Sequence, residues 1–158
     1  MMASVVTSNN RWISWYSTMT DRMILRPMEP ADTNFFFNSW LESWKKSRYA
    51  GVIRNCDYYK VTREVIEDLI KRGARIHVAC NPSNQEHIYG WICHELTGDG
   101  FAVVHYLYVK DPFLKMDVDK ALMSMVDGEK PGFYTFNYTQ VSKVCPNWKW
   151  APEIARRK

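Results

Sequence analysis

Residues 103–123 read V-V-H-Y-L-Y-V, then K-D-P-F-L-K-M-D, then V-D-K-A-L-M: an apolar strand, a short loop and the start of a helix. With a further strand expected over residues 133–137, that helix becomes a crossover, which commits the chain to an α/β class. Upstream, the period is that of strands over residues 75–80, 88–96 and 101–109, separated by N-P-S-N-Q and T-G-D-G turns. Three strands joined this way predict an antiparallel meander.

Two helices are expected before the meander. One begins near Pro30 and places Phe37, Trp40, Leu41 and Trp44 on one face. The other covers residues 61–71, with Val65, Ile66, Leu69 and Ile70 as its apolar stripe and Gly73 as its stop. A strand over residues 22–26 comes first, and the helix after the meander should run over residues 118–126, stopped by Asp127-Gly128. Residues 1–20 read as an N-terminal arm and residues 21–158 as one domain, with an irregular, shortened end after residue 137.

A chain of 158 residues with 46% hydrophobic and 15% aromatic content can bury a proper core. Cys56, Cys80, Cys93 and Cys145 form no C-x-x-C pair, and His77, His87, His94 and His105 have no i, i+4 spacing, so no metal site is expected. The first twenty residues lack the apolar core of a signal peptide and no run reaches the length of a membrane span, so the expectation is a cytoplasmic protein with free thiols. A net charge of +4 with scattered Lys and Arg argues only weakly for a polyanionic partner. Lys149 and the terminal Arg156-Arg157-Lys158, interleaved with Trp148 and Trp150, are the one stretch suited to a single nucleic-acid strand. Trp12 and Trp15 join Trp148 and Trp150 near the ends, where they could seat the termini or meet a protein partner.

The 103–123 segment, preceded by T-D-R-M-I-L-R-P, resembles the acetyl-CoA motif of the GNAT (GCN5-related N-acetyltransferase) superfamily, in which a central strand is followed by R/Q-x-x-G-x-G/A and a helix. Phe113 and Ala121-Leu122-Met123 fix the register without a gap. The Arg/Gln position is then Leu114, and the two small-residue positions are Asp117 and Asp119. The segments N-S-W-L, Y-G-W-I-C-H-E and V-V-H-Y-L-Y-V-K are also similar to small GNAT-like proteins of tailed bacteriophages. The resemblance implies a single GNAT-like domain with a mixed, mostly antiparallel sheet flanked by helices. It also implies acetyl-CoA as the cofactor of an active member, bound along Leu107, Tyr108 and Val109 by backbone pairing and by the loop from Leu114 through Lys115, Met116, Asp117, Val118 and Asp119 to Lys120.

The loop chemistry is altered, however. A phosphate cradle needs glycines so that backbone N–H groups can approach the oxygens, whereas carboxylates about 4 Å from a phosphate each repel it by roughly 1 kcal/mol even in water. Asp117 and Asp119 are better suited to capping the helix that follows. By position, the resemblance offers Glu95 as base and Tyr138 as acid. Read as residues, Glu95 is an exposed hairpin-end carboxylate, Tyr138 one of nine tyrosines, and His105 a hydrogen-bonded core histidine. Three functions follow: a non-catalytic protein that binds a macromolecule, an N-acyltransferase in which Lys115 or Lys120 supplies the phosphate contact, or a virion or accessory protein of a phage.

Overall fold

A computed structural model describes residues 22–47, 50–136 and 140–156. Six strands form one sheet in the order β1-β2-β3-β4-β5-β6: Ile24–Pro27, Arg75–Asn81, Asn84–Leu96, Phe101–Val109, Glu129–Tyr134 and Lys149–Trp150. The first four are antiparallel, while β4–β5 and β5–β6 are parallel, so the class expected from the crossover is the class observed.

Helix α1, Thr33–Glu42, follows a 3-10 turn at Pro30–Asp32 whose Asp32 carboxylate accepts the Glu29 N–H at 2.8 Å and pairs with Arg26 at 2.6 Å. Its buried residues are Phe36, Trp40 and Leu41; Phe37, assigned to that face from the sequence, is only half-buried, and the Trp44 side chain lies outside the described part. Helix α2 is Asn55–Lys71, six residues longer at its start than the periodicity suggested. N-C-D-Y-Y-K has no apolar period because nothing there is fully buried. Val61 and Ile70 are exposed, leaving Thr62, Ile66 and Leu69 as the buried stripe. Both helices cover one sheet face, where Phe36, Trp40, Ile66 and Leu69 pack on Val78, Trp91, Cys93 and Tyr106.

The crossover helix α3 is Val118–Met123, three residues shorter than expected, and its last turns are closed by Met125 N–H to Leu122 and Val126 N–H to Met123. It covers the opposite face, with Val118, Ala121 and Leu122 against Tyr89, Ile92, Val104 and Leu107. Strand β5 starts four residues before the expected position, through Pro131-Gly132, and Asn137 lies outside the described residues. The end of the chain is more regular than its sequence suggests: α4 (Val141–Val144), β6 and a 3-10 turn at Pro152–Arg156 extend the sheet and wall its end. Trp148 is buried in the α3-side core, which removes it from any stacking surface, whereas Trp150 is half exposed. The arm over residues 1–20, with Trp12 and Trp15, lies outside the described residues, as do Arg157 and Lys158.

Candidate functional site

Strand β4 carries the candidate site at its middle and at its C-terminal end. Pairing with β5 runs through Phe101↔Glu129, Val103↔Phe133 and Val104↔Tyr134, whereas β4 continues to Val109. Among the described residues, none of β5 pairs with Leu107, Tyr108 or Val109, so their β5-side edge is open. On the other edge the register with β3 steps from Cys93↔Tyr106 to His94↔Val104, which makes His105 the extra residue of a bulge. Gly90 is required opposite Val109, since a Cβ there would lie 2.4 Å from the Tyr108 carbonyl oxygen.

Beyond Val109, Phe113 stacks on Tyr89 at 4.2 Å between ring centroids and anchors the loop. Leu114, Lys115, Asp117 and Lys120 are exposed, Met116 and Asp119 half-buried, and Val118 buried. Asp117 adopts the left-handed conformation, φ 56° and ψ 26°. It makes no side-chain bond to the helix N-terminus, so the capping role expected of it is corrected. Its carboxylate instead pairs with Lys120 Nζ at 3.3 Å, and the N–H of Lys120 is bonded by Asp119 Oδ1 at 2.8 Å. A left-handed residue is most cheaply glycine. The chain therefore keeps the backbone of a glycine position and fills it with an acid.

At the middle of β4 lies a buried polar chain. Glu95, expected at an exposed hairpin end, is largely buried and accepts from Arg72 through both oxygens, one contact being Nε to Oε2 at 3.2 Å. His105 is fully buried, with Nε2 2.7 Å from Glu95 Oε1 and Nδ1 2.9 Å from Thr135 Oγ1. Arg72 also donates to the carbonyls of Ile154 at 2.7 Å and Ala155 at 3.4 Å. Burial pushes the Glu95 carboxyl up, but the bonds from His105 and Arg72 outweigh it and the net shift is downward. Burial pushes the His105 imidazole down, opposed by Glu95. The carboxylate is thus ionised and the imidazole neutral. Nε2 carries the proton, Nδ1 accepts, and Thr135 donates its O–H.

Thr135 also lines a cleft of about 590 Å³ between α2 and the C-terminal segment, with Tyr58, Val61, Val65, Phe136 and Trp150 as its main apolar walls and Asp57, Glu153 and Arg156 as its charged lining. Tyr138, the candidate acid, lies outside the described residues. The structure brings the loop and the open edge together at the C-terminal end of β4 and places Glu95 beside the bulge at its middle. Arg72 and Thr135 had no sequence signal, since Glu95 meets Arg72 across 23 residues and His105 meets Thr135 across 30. Among the described residues no group of three or more His, Cys, Asp or Glu side chains could hold a metal ion, and no helix is long and apolar enough to cross a membrane.

No family model matches the chain, and no curated protein is similar to it. Among solved structures, a protein assigned as an acetyl transferase from Pyrococcus furiosus aligns with a TM-score of 0.50 and 20% identity over 65% of this chain and 70% of that one. The chain has a GNAT-like fold. A GNAT-family acetyltransferase from Staphylococcus aureus aligns at TM-score 0.46 and 16% identity, over 65% of this chain and 61% of that one. A GNAT family N-acetyltransferase from Escherichia coli, solved in complex with CoA, aligns at 0.40 and 14%, over 65% and 53%. Within this GNAT-like fold, the bulge at His105 and the open edge after it lie on the strand where the sequence placed the acetyl-CoA motif.

Proposed function

We propose that this GNAT-fold protein has a degenerate acetyl-CoA pyrophosphate loop and acts by binding a macromolecular partner rather than by transferring acetyl from CoA. The observation that carries this is Asp117, a left-handed acid ion-paired to Lys120 where a phosphate cradle would need a bare backbone. Lys120 is thereby occupied. Leu114, at the position of the motif's Arg or Gln, offers no donor. The partner surface is the exposed apolar rim of the cleft beside α2, made by Ile53, Val61 and Trp150. A protein partner suits its apolar walls. If the phage resemblance holds, that partner is a host or virion protein, and sedimentation with particles against capture of a host protein separates the two.

One observation favours active acyl transfer as the second reading: Lys115 is exposed and makes no ion pair among the described residues, which leaves it able to meet a phosphate as a point charge. Isothermal calorimetry with acetyl-CoA and with CoA decides between them. No heat at millimolar ligand supports the binding protein, and micromolar affinity supports the acyltransferase.

A further inference from the structure

The buried chain Arg72–Glu95–His105–Thr135 ends at a cleft, and that placement is what a purely structural network would not need. We propose that Thr135 is an activated nucleophile that takes an acyl group from a small apolar ester or thioester bound in this cleft. The proposal does not depend on the loop that follows β4, because such an acyl donor needs no pyrophosphate site.

The order of groups is that of an activated hydroxyl: nucleophile, base, orienting carboxylate. Thr135 Oγ1 and His105 Nδ1 are 2.9 Å apart, and His105 Nε2 and Glu95 Oε1 are 2.7 Å apart, both within reach for proton transfer or orientation. The base is neutral and its accepting nitrogen faces the hydroxyl, as the ionised Glu95 requires. Thr135 is held besides by its N–H to the Val104 carbonyl at 3.2 Å and by its own carbonyl, which accepts from Trp150 Nε1 at 3.3 Å. Arg72 fixes Glu95 and is itself tied to the carbonyls of Ile154 and Ala155, on the segment that walls the cleft. Glu95 and Arg72 are therefore positioning residues. The walls around Thr135, Val61, Val65, Phe136 and Trp150 among them, suit an apolar acyl group.

In the reaction, Thr135 Oγ1 bonds to the acyl carbonyl carbon and its proton passes to His105 Nδ1. The bond from that carbon to the leaving oxygen or sulfur then breaks, its electron pair stays with the leaving atom, and that atom takes the proton from Nδ1. Thr135 is left esterified and His105 neutral. Water repeats the path to release the acid, so nothing is oxidised or reduced.

The test uses the full chain with p-nitrophenyl acetate, following p-nitrophenolate release and locating the acetyl group by peptide mass spectrometry. We expect a burst approaching one equivalent, with the adduct on the peptide carrying Thr135. Thr135→Val should abolish both, and Thr135→Ser should keep them. An adduct found only on the exposed Cys56 or on lysines, no adduct at all, or an undiminished burst in Thr135→Val overturns the proposal. The wild-type adduct map stands even if a variant fails to fold. Because the probe carries no nucleotide, failure here is independent of calorimetry with CoA.

Discussion

The middle of β4 and the loop that follows the strand treat their polar groups in opposite ways. Around Glu95 and His105 the side-chain donors and acceptors bond to protein partners, with His105 fully buried and Glu95 and Arg72 largely so. At the loop end, Leu114, Lys115, Asp117 and Lys120 face solvent, and the one ion pair there is exposed. Burial makes the first region intolerant of change, while exposure leaves the second free to lose a cofactor's requirements without losing the fold. A fold can therefore outlast its phosphate loop while keeping a rigid polar site on the strand that leads into that loop.

The sharpest way to break that contrast is Glu95→Gln. Removing one partner of a largely buried ion pair should cost about 3 kcal/mol, measured by urea unfolding, and a loss below about 1 kcal/mol would mean that the network does not differ from the loop. Next comes acid. Burial, with His77 beside it, pushes His94 down to about 4 from an ordinary 6.5, and His77 Nδ1 lies 2.9 Å from His94 Nε2. A lowered pKa gives stability that is present above pH 6.5 and lost as pH falls toward 4. The melting temperature should drop across that window by the equivalent of about 2 kcal/mol and drop less in His94→Gln, whereas equal drops would assign the acid sensitivity elsewhere.

At the loop end, Leu114→Arg with Asp117→Gly and Asp119→Gly should raise CoA affinity at least about tenfold by calorimetry, since it adds a donor and removes two repulsive charges. No gain would mean that the loop is not a decayed phosphate site. The smallest effect is that of Asp117→Gly alone. Relief of the left-handed conformation outweighs one exposed ion pair, so stability should rise by about 0.5–1 kcal/mol, and a fall in the thermal midpoint would show the residue is not strained.

The sequence carried the fold further than the site. Element order was legible because the meander, the crossover helix and the stripe at Ile66 and Leu69 keep their periods when buried. The first turns of α2 were not, as N-C-D-Y-Y-K faces outward, and β5 was misplaced because Pro131-Gly132 reads as a break. Of the site, the acidic loop could be read residue by residue. The left-handed Asp117 and the meeting of Arg72, Glu95, His105 and Thr135 could not, because each depends on chain brought together from distant positions.

The anchoring of Arg72 on Ile154 and Ala155 sets an order of events during synthesis. His105 emerges 49 residues ahead of Ile154, an interval of roughly 2–10 s at 5–20 residues per second. Through that interval Glu95 and His105 stand beside an unfinished sheet. The nascent chain thus carries an incomplete ion cluster until the turn at Pro152–Arg156 arrives, which makes that turn the latch of the domain.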